Sequence, residues 1–240
     1  MPVAVYHGYL VPSNHYELMP ISLSIAVCQS IWYNGLRHFT PGSLRPGENM
    51  TRYDPIDEAE LARLAVAYGE PIRATPDVVG DEYIFSSRLQ RTRDRRGEVV
   101  MAVERPGGRV LLHRKSWYGH DVYRLLSGGI GWDEAVDEAL ERELCEETGL
   151  TLTTARLLGV LDCRIRHAGH MVPFVSYVFH LPETIAPLHH DDGEIEQFHE
   201  IPIAELPAVA EHLRSLPPPR AGWGRWRAPA HDLVYQALRG

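Results

Sequence analysis

The chain has 240 residues, 44% of them apolar, and a formal net charge of −8. That apolar share can build a sizeable core, and the acidic balance excludes a protein that coats nucleic-acid backbones, so any anionic ligand must be met locally. The length is enough for one catalytic domain with flanking segments but not necessarily for a second full domain. Cys28, Cys145 and Cys163 show no metal or redox spacing, which fits a reducing, cytoplasmic setting in which disulfides are not expected. The longest weakly apolar run, Ile21–Trp32, is too short for a bilayer and has no basic leader before it, so no membrane partner is expected.

Residues 1–49 carry only Glu17, Arg37, Arg45 and Glu48 as charges and show no sustained periodicity, so they read as an N-terminal extension without an assignable role. Met50 then opens a segment shaped like a natural start: Asp54 as N-cap, Pro55 at the first helical position, and a helix through Tyr68 stopped at Gly69. One reading makes Met50 the biological start; the other keeps the leader as a partner-binding or oligomer-forming arm. The rest of segment 50–96 carries the basic cluster Arg88, Arg91, Arg93, Arg95 and Arg96, which either steers phosphates from a rim or lies in a solvated linker.

Glu98–Val103 and Arg109–His113 are apolar, β-branched runs joined by Arg105-Pro106-Gly107-Gly108, a hairpin signal. Arg114 and Lys115 close the second run, and Trp117, Tyr118 and His120 follow. Cations pair with phosphate oxygens and flat rings stack on nucleobases or sugars; the alternative is snorkelling cations and half-buried rings at a sheet edge.

Residues 127–150, SGGIGWDEAVDEALERELCEETGL, hold the densest constraints. A helix after Trp132 places Glu143, Glu146 and Glu147 at i, i+3 and i+4 on one face. Like charges so close raise one another's pKa unless a cation sits between them, and a divalent metal is the simplest remedy. Oxygen ligands alone suit Mg²⁺ or Mn²⁺ better than Zn²⁺. Val136, Ala139, Leu140 and Leu144 form the opposite, core-facing stripe. Asp133 and Glu134 favour the helix start, and Gly149 ends it. Gly128, Gly129 and Gly131 read as a loop that bends tightly and presents bare backbone to a metal or phosphate.

This segment resembles the Nudix box: Gly128, five residues, Glu134, seven residues, Arg142-Glu143-Leu144, one residue, Glu146-Glu147, one residue, Gly149-Leu150. Gly131 and Asp133 depart from common usage at variable positions. The resemblance implies that Glu143, Glu146 and Glu147 bind the catalytic metals, with a backbone carbonyl around Ser127 or Gly128 as a further ligand. It also implies that Arg142 orients a glutamate through a salt bridge and that Glu134 supports the site. Helical phase does not place Glu134 on the face of the other three.

After the box, Ala155–Asp162, Met171–Leu181 and Ile195–Ile201 read as strands and Ile203–Leu216 as a helix. Arg164, Arg166 and His167 follow the first of these strands, with even standing as ligand cations or ordinary surface groups. The loop at 189–197 offers Asp191, Asp192, Glu194 and Glu196, of which Glu194 or Glu196 is favoured as proton acceptor; His189 and His190 read as exposed polar residues. Pro217-Pro218-Pro219 makes a stiff break before a short amphipathic helix, where Trp223 and Trp226 pack back on the core or on a second subunit.

The expectation is thus an α/β fold, the Nudix α/β/α sandwich with a mixed sheet over 97–216, plus the N-terminal extension and a 217–240 tail. The resemblance implies a Mg²⁺- or Mn²⁺-dependent pyrophosphohydrolase acting on a nucleoside diphosphate linked to another moiety, such as ADP-ribose, or on a nucleoside triphosphate. Catalytic roles fall to Glu134, Arg142, Glu146 and Glu194 or Glu196, and substrate contacts to Arg114, Lys115, Trp117 and Gly129. A non-catalytic Nudix-fold sensor is the rival, and an isoprenoid diphosphate isomerase a third reading that lacks its cysteine-centred motif. The resemblance also allows a homodimer.

Overall fold

In a computed structural model that describes residues 56–85, 95–189 and 193–239, the first helix, α1, runs Glu58–Tyr68. Its N-cap is Asp57, whose side chain accepts from the Ala59 and Glu60 amides. Asp54, Pro55 and Met50 lie outside the described residues, as do residues 1–49, Arg88, Arg91, Arg93, His190, Asp191 and Asp192. Gly69 ends α1 with φ 97°, as expected.

Two short strands follow, β1 (Ile72–Ala74) and β2 (Asp77–Val79), both too brief to leave a periodic signal. The expected hairpin is β3 (Gly97–Arg105) and β4 (Arg109–Lys115). Before the box comes a third strand that the sequence reading missed, β5 (Arg124–Ile130), which carries Gly128 and Gly129. These glycines are therefore not a loop. Val99 pairs with Gly128 and Glu98 with Gly129, so the backbone there is a rung of the sheet. Glycine in a strand interior marks close approach by another group, and composition alone reads it as a turn.

The box helix α2 is Val136–Thr148, closed by Gly149 in the left-handed conformation at φ 70°. Strands β6 (Arg156–His167), β7 (His170–Leu181) and β8 (Ile195–Pro202) follow. The single helix expected over Ile203–Leu216 is a 3₁₀ turn, Ile203–Glu205, leading into α3 (Leu206–Arg214). Last comes α4, Ala221–Leu238; at 18 residues it is longer than the short helix expected.

The strands form one mixed sheet in the order β1–β6–β7–β3–β5–β4–β8, with β2 also on β6. Strand β3 lies parallel to β7 and antiparallel to β5, and it is apolar on both faces, as a strand covered on both sides must be. Val99, Met101 and Val103 face a core shared with α1 and α2, while Val100 and Ala102 face a second core shared with α3 and α4. Helices thus cover both faces, giving the expected α/β/α sandwich. Trp223 and Trp226 are buried in the second core, which bears out the packing reading for both. No helix among the described residues is long and apolar enough to cross a membrane.

Of the cysteines among the described residues, Cys163 is free and buried.

Candidate functional site

Helix α2 is held at its start by α1. The Glu60 carboxylate accepts from the Val136 amide at 2.9 Å, and Arg63 grips Asp137 through two bonds of 2.7 and 2.9 Å. Glu138 reaches back to the Ala135 amide, so the amides of Ala135 and Val136 at the helix start both have carboxylate acceptors. Arg96 ties this corner together, pairing with Glu60 and donating to the Glu134 carbonyl at 2.7 Å.

One turn into the helix, Arg142 is the hub. Its Nε and Nη2 clasp Glu134 at 2.7 and 2.9 Å, Nη1 reaches Glu143 at 2.8 Å and Glu146 at 3.1 Å, and Nη2 also donates to the Gly129 carbonyl at 2.8 Å. The planar fork suits this task, since a point charge could not hold three carboxylates and a carbonyl at once. Glu134 lies ahead of the helix and folds back, so phase could not reveal its place; its other partner is the Gly131 amide at 2.8 Å. Burial works to raise the Glu134 carboxyl, but the bonds from Arg142 and Gly131 outweigh it and hold it below the ordinary carboxylate range.

The carboxyl of Glu143 lies over Gly128. A Cβ built there would stand 1.7 Å from the Glu143 carboxyl carbon, so this rung of β5 has to be glycine. Burial raises the Glu143 carboxyl, against the pull of Arg142. Glu147 is deeper still, 2% exposed, and neither of its oxygens has a hydrogen-bond donor among the described residues. Lys115 stands 3.2 Å from Glu147 Oε1 as an ion pair without hydrogen-bond alignment, and His113 Nδ1 is 3.8 Å away. Burial pushes Glu147 up to about 7 despite Lys115 and Arg124 nearby. Burial likewise forces His113 well below the ordinary histidine range, helped by Arg124 and Lys115, so its ring is neutral.

The three box glutamates share a face, as the spacing requires. The cations between them in this structure are protein groups, Arg142 beside Glu143 and Glu146 and Lys115 beside Glu147. Among the described residues, no three His, Cys, Asp or Glu side chains converge as a ready-made metal cluster. The donors nevertheless fit a hard divalent cation: carboxylate oxygens, one of them in a glycine cradle and two buried without hydrogen-bond donors.

Lys115 also binds Glu194 at 2.7 Å, so one ammonium joins the box to the later acidic loop. Burial works to lower Lys115, but Glu147 and Glu194 outweigh it and raise it. Glu196 is turned elsewhere, to Arg114 at 3.0 Å, and Arg114 also holds Gln197 and the His120 carbonyl. Both cations expected to meet a phosphate are thus committed to carboxylates. Trp117 is 41% exposed, beside Lys115, and its carbonyl accepts from Arg220 on the edge of α4. The ring of Tyr118 packs on Trp223, and its hydroxyl accepts from Arg124 at 2.8 Å. Arg95 crowds the space where a Gly129 side chain would be, with guanidinium atoms at 2.9 Å. Arg164, Arg166 and His167 pair instead with Asp162, Asp77 and Glu82.

Several residues of this neighbourhood were not found by motif. Glu98, Arg124, Arg227 and His231 are buried charges or polar rings inside apolar runs, and such groups persist only when partnered. That signal was present in each run, but their partners lie in distant parts of the chain and no local spacing names them.

A family model described as NUDIX domain matches residues 94–221, which is 128 of the 240 residues. The chain belongs to the NUDIX family. It is a hydrolase acting on diphosphate bonds. Among solved structures, the MutT protein of Methanosarcina mazei Go1 is 15% identical, with 69% of this chain and 98% of that one covered at a TM-score of 0.42. The E. coli dihydroneopterin triphosphate pyrophosphohydrolase is 14% identical, over 60% and 96%, at 0.43. The NUDIX domain of Shewanella oneidensis NrtR, solved with ADP ribose, is 16% identical, over 63% and 97%, at 0.39. No curated protein matches the chain.

Proposed function

We propose that this chain is a Mg²⁺- or Mn²⁺-dependent pyrophosphohydrolase that cleaves the phosphoanhydride of a nucleoside diphosphate linked to another moiety, or of a nucleoside triphosphate. One observation carries the reading: Arg142 gathers Glu134, Glu143 and Glu146 beside the Gly128 cradle, while Glu147 keeps two buried oxygens without donors. In this reading Glu143, Glu146, Glu147 and the Gly128 carbonyl hold the metal, and Arg142 with Glu134 fixes their directions. The metal, when bound, neutralises the diphosphate and acidifies the attacking water.

A proton acceptor must also lie near the metal-facing carboxylates. Of the two later acids, Glu194 meets this through Lys115, 2.7 Å away and itself 3.2 Å from Glu147. Glu196, paired with Arg114, is better placed to anchor its strand. Trp117 offers an exposed ring for a base or sugar, and Arg114 and Lys115 reach a phosphate only by giving up a carboxylate. The partner is a small nucleotide or diphosphate. The charge of −8 supports the absence of a nucleic-acid partner. A homodimer and a cytoplasmic setting complete the reading.

The test is a hydrolysis screen over ADP-ribose, other sugar nucleotides, dinucleotides and nucleoside triphosphates with Mg²⁺ and Mn²⁺, run beside Glu146→Gln and Glu147→Gln. Cleavage lost in both variants is the expected result. Unchanged activity in both would refute the site, and binding without cleavage of any compound would favour a ligand-sensing module.

A further inference from the structure

Helix α4 begins at the last residue of the family match, yet it places a guanidinium beneath the candidate site. Arg227 is 9% exposed, lies 3.9 Å over the ring of Trp226 and pairs through Nη1 with Glu98, itself 3% exposed. Glu98 is a carboxylate near the head of the central strand, in the run Glu98-Val-Val-Met-Ala-Val, where nothing but a partner could justify a charge. Its second oxygen accepts from Ser176 of β7 at 2.8 Å, and Ser127 of β5 lies 3.5 Å from the first. One side chain thus joins β3, β5, β7 and α4.

The level at which it does so matters. Glu98 is paired across the sheet with Gly129, and its neighbour Val99 with Gly128. The Gly129 carbonyl is a ligand of Arg142, and Gly128 is the seat of Glu143. Ser127, between them and Arg124, is itself bonded to Arg124 at 2.8 Å. From Arg227 to the glutamates the path is therefore Arg227, Glu98, the Gly128–Gly129 rung, then Arg142 and Glu143. Because Glu143 rests against bare backbone, a shift of this rung by a few tenths of an ångström moves the carboxylate.

We propose that Arg227 is a positioning residue of the active unit, holding Glu98 under the Gly128–Gly129 rung so that this rung and the glutamates keep their spacing for a divalent cation. This rests on the metal reading of the site given above. A chain lacking Arg227 leaves Glu98 buried without its counter-charge, so the strand must admit water or a proton beside it.

The test measures Mn²⁺ dissociation directly, by electron paramagnetic resonance of the free ion, together with thermal unfolding of each full-length variant. Arg227→Met should unfold at lower temperature and bind Mn²⁺ at least about 10-fold more weakly, in the range seen when outer partners of metal ligands are removed. Arg227→Met combined with Glu98→Gln removes both charges and should regain stability while keeping the weak Mn²⁺ binding; Arg227→Lys should recover part of the affinity. Arg214→Ala, which breaks the Arg214–Asp232 pair between α3 and α4, should leave Mn²⁺ binding unchanged. Wild-type Mn²⁺ affinity in the folded double variant, or affinity that returns in step with stability, overturns the proposal. A wild-type protein that binds no Mn²⁺ sinks the metal site itself, a different result from an unaffected variant of a protein that does bind.

Discussion

At the scale of single residues, the seat of Glu143 can be tested with one methyl group. Gly128→Ala places a carbon 1.7 Å from the Glu143 carboxyl carbon and 1.9 Å from its Oε2, so that carboxylate must leave. The sheet pairing with Val99 is unaffected, so the fold should hold, with circular dichroism unchanged. The expected loss in kcat/KM is about 100-fold or more, the scale at which small misplacements in a reacting assembly are felt. Wild-type kcat/KM in this variant would mean that Glu143 works from some other position. The buried histidines give a second prediction. His231 Nε2 accepts from the Leu125 amide at 3.0 Å with Nδ1 against the Arg227 carbonyl, and burial lowers it to about 3; His113 is also held neutral by burial. The unfolded chain therefore takes up protons first as the pH falls. Stability from these rings is complete above their ordinary pKa of about 6.5 and drains away below it, down toward about 3 for His231. The slope is up to roughly 1.4 kcal/mol per pH unit for each ring. Urea midpoints should fall between pH 7.5 and pH 5, and His231→Gln should shed about one proton's worth of that slope. An unaltered slope would assign the uptake elsewhere.

At the scale of elements, α1 and α2 act as a pair because Glu60 stands at the positive end of the α2 dipole and accepts from its Val136 amide. Glu60→Ala removes that bond and the ion pair with the largely buried Arg96. A cost of about 2–3 kcal/mol is expected. Glu58→Ala offers the contrast: its pair with Arg73 is half in water and should cost less than about 1 kcal/mol. Equal costs by urea unfolding would deny Glu60 its capping role. The same corner marks what the sequence could reveal. Helix α2 was legible because its apolar stripe, its acidic face and Gly149 all obey one period. Gly128 was legible as a functional glycine but not as part of a strand, since its pairing with Val99 is a tertiary fact that composition hides. Glu134 carried no helical phase, and its clasp on Arg142 comes from a fold-back before the helix. Glu60, Arg96, Glu98 and Arg227 are joined to the box segment or to one another only across 29 residues or more of chain, beyond any local pattern. The acidic loop was legible as a supply of acids; which one faces the box is decided by Lys115.

At the scale of the whole molecule, α4 decides whether the matched domain can stand without its tail. The face of the sheet opposite the box helix is covered by α3 and α4, and α4 contributes Trp223, Trp226, Leu233 and Val234 to that core. Phe174 of β7 meets Trp226 edge-on at 4.8 Å, and Tyr118, which holds Arg124, leans on Trp223 at 5.0 Å. Emptying one such tryptophan site costs about 3–5 kcal/mol, and a whole domain has only about 5–15 kcal/mol to lose. Ending the chain after Pro219 removes both tryptophans, bares the part of that face that α4 covers and leaves Glu98 without Arg227. The box, Arg142 and the glutamates would all still be present in sequence. The expected product is nevertheless a protein without a cooperative melt, with collapsed near-ultraviolet dichroism and strong binding of an apolar dye. A truncated chain that melts cooperatively near the wild-type temperature would make α4 an appendage, and the buried charge of Glu98 would then need another partner.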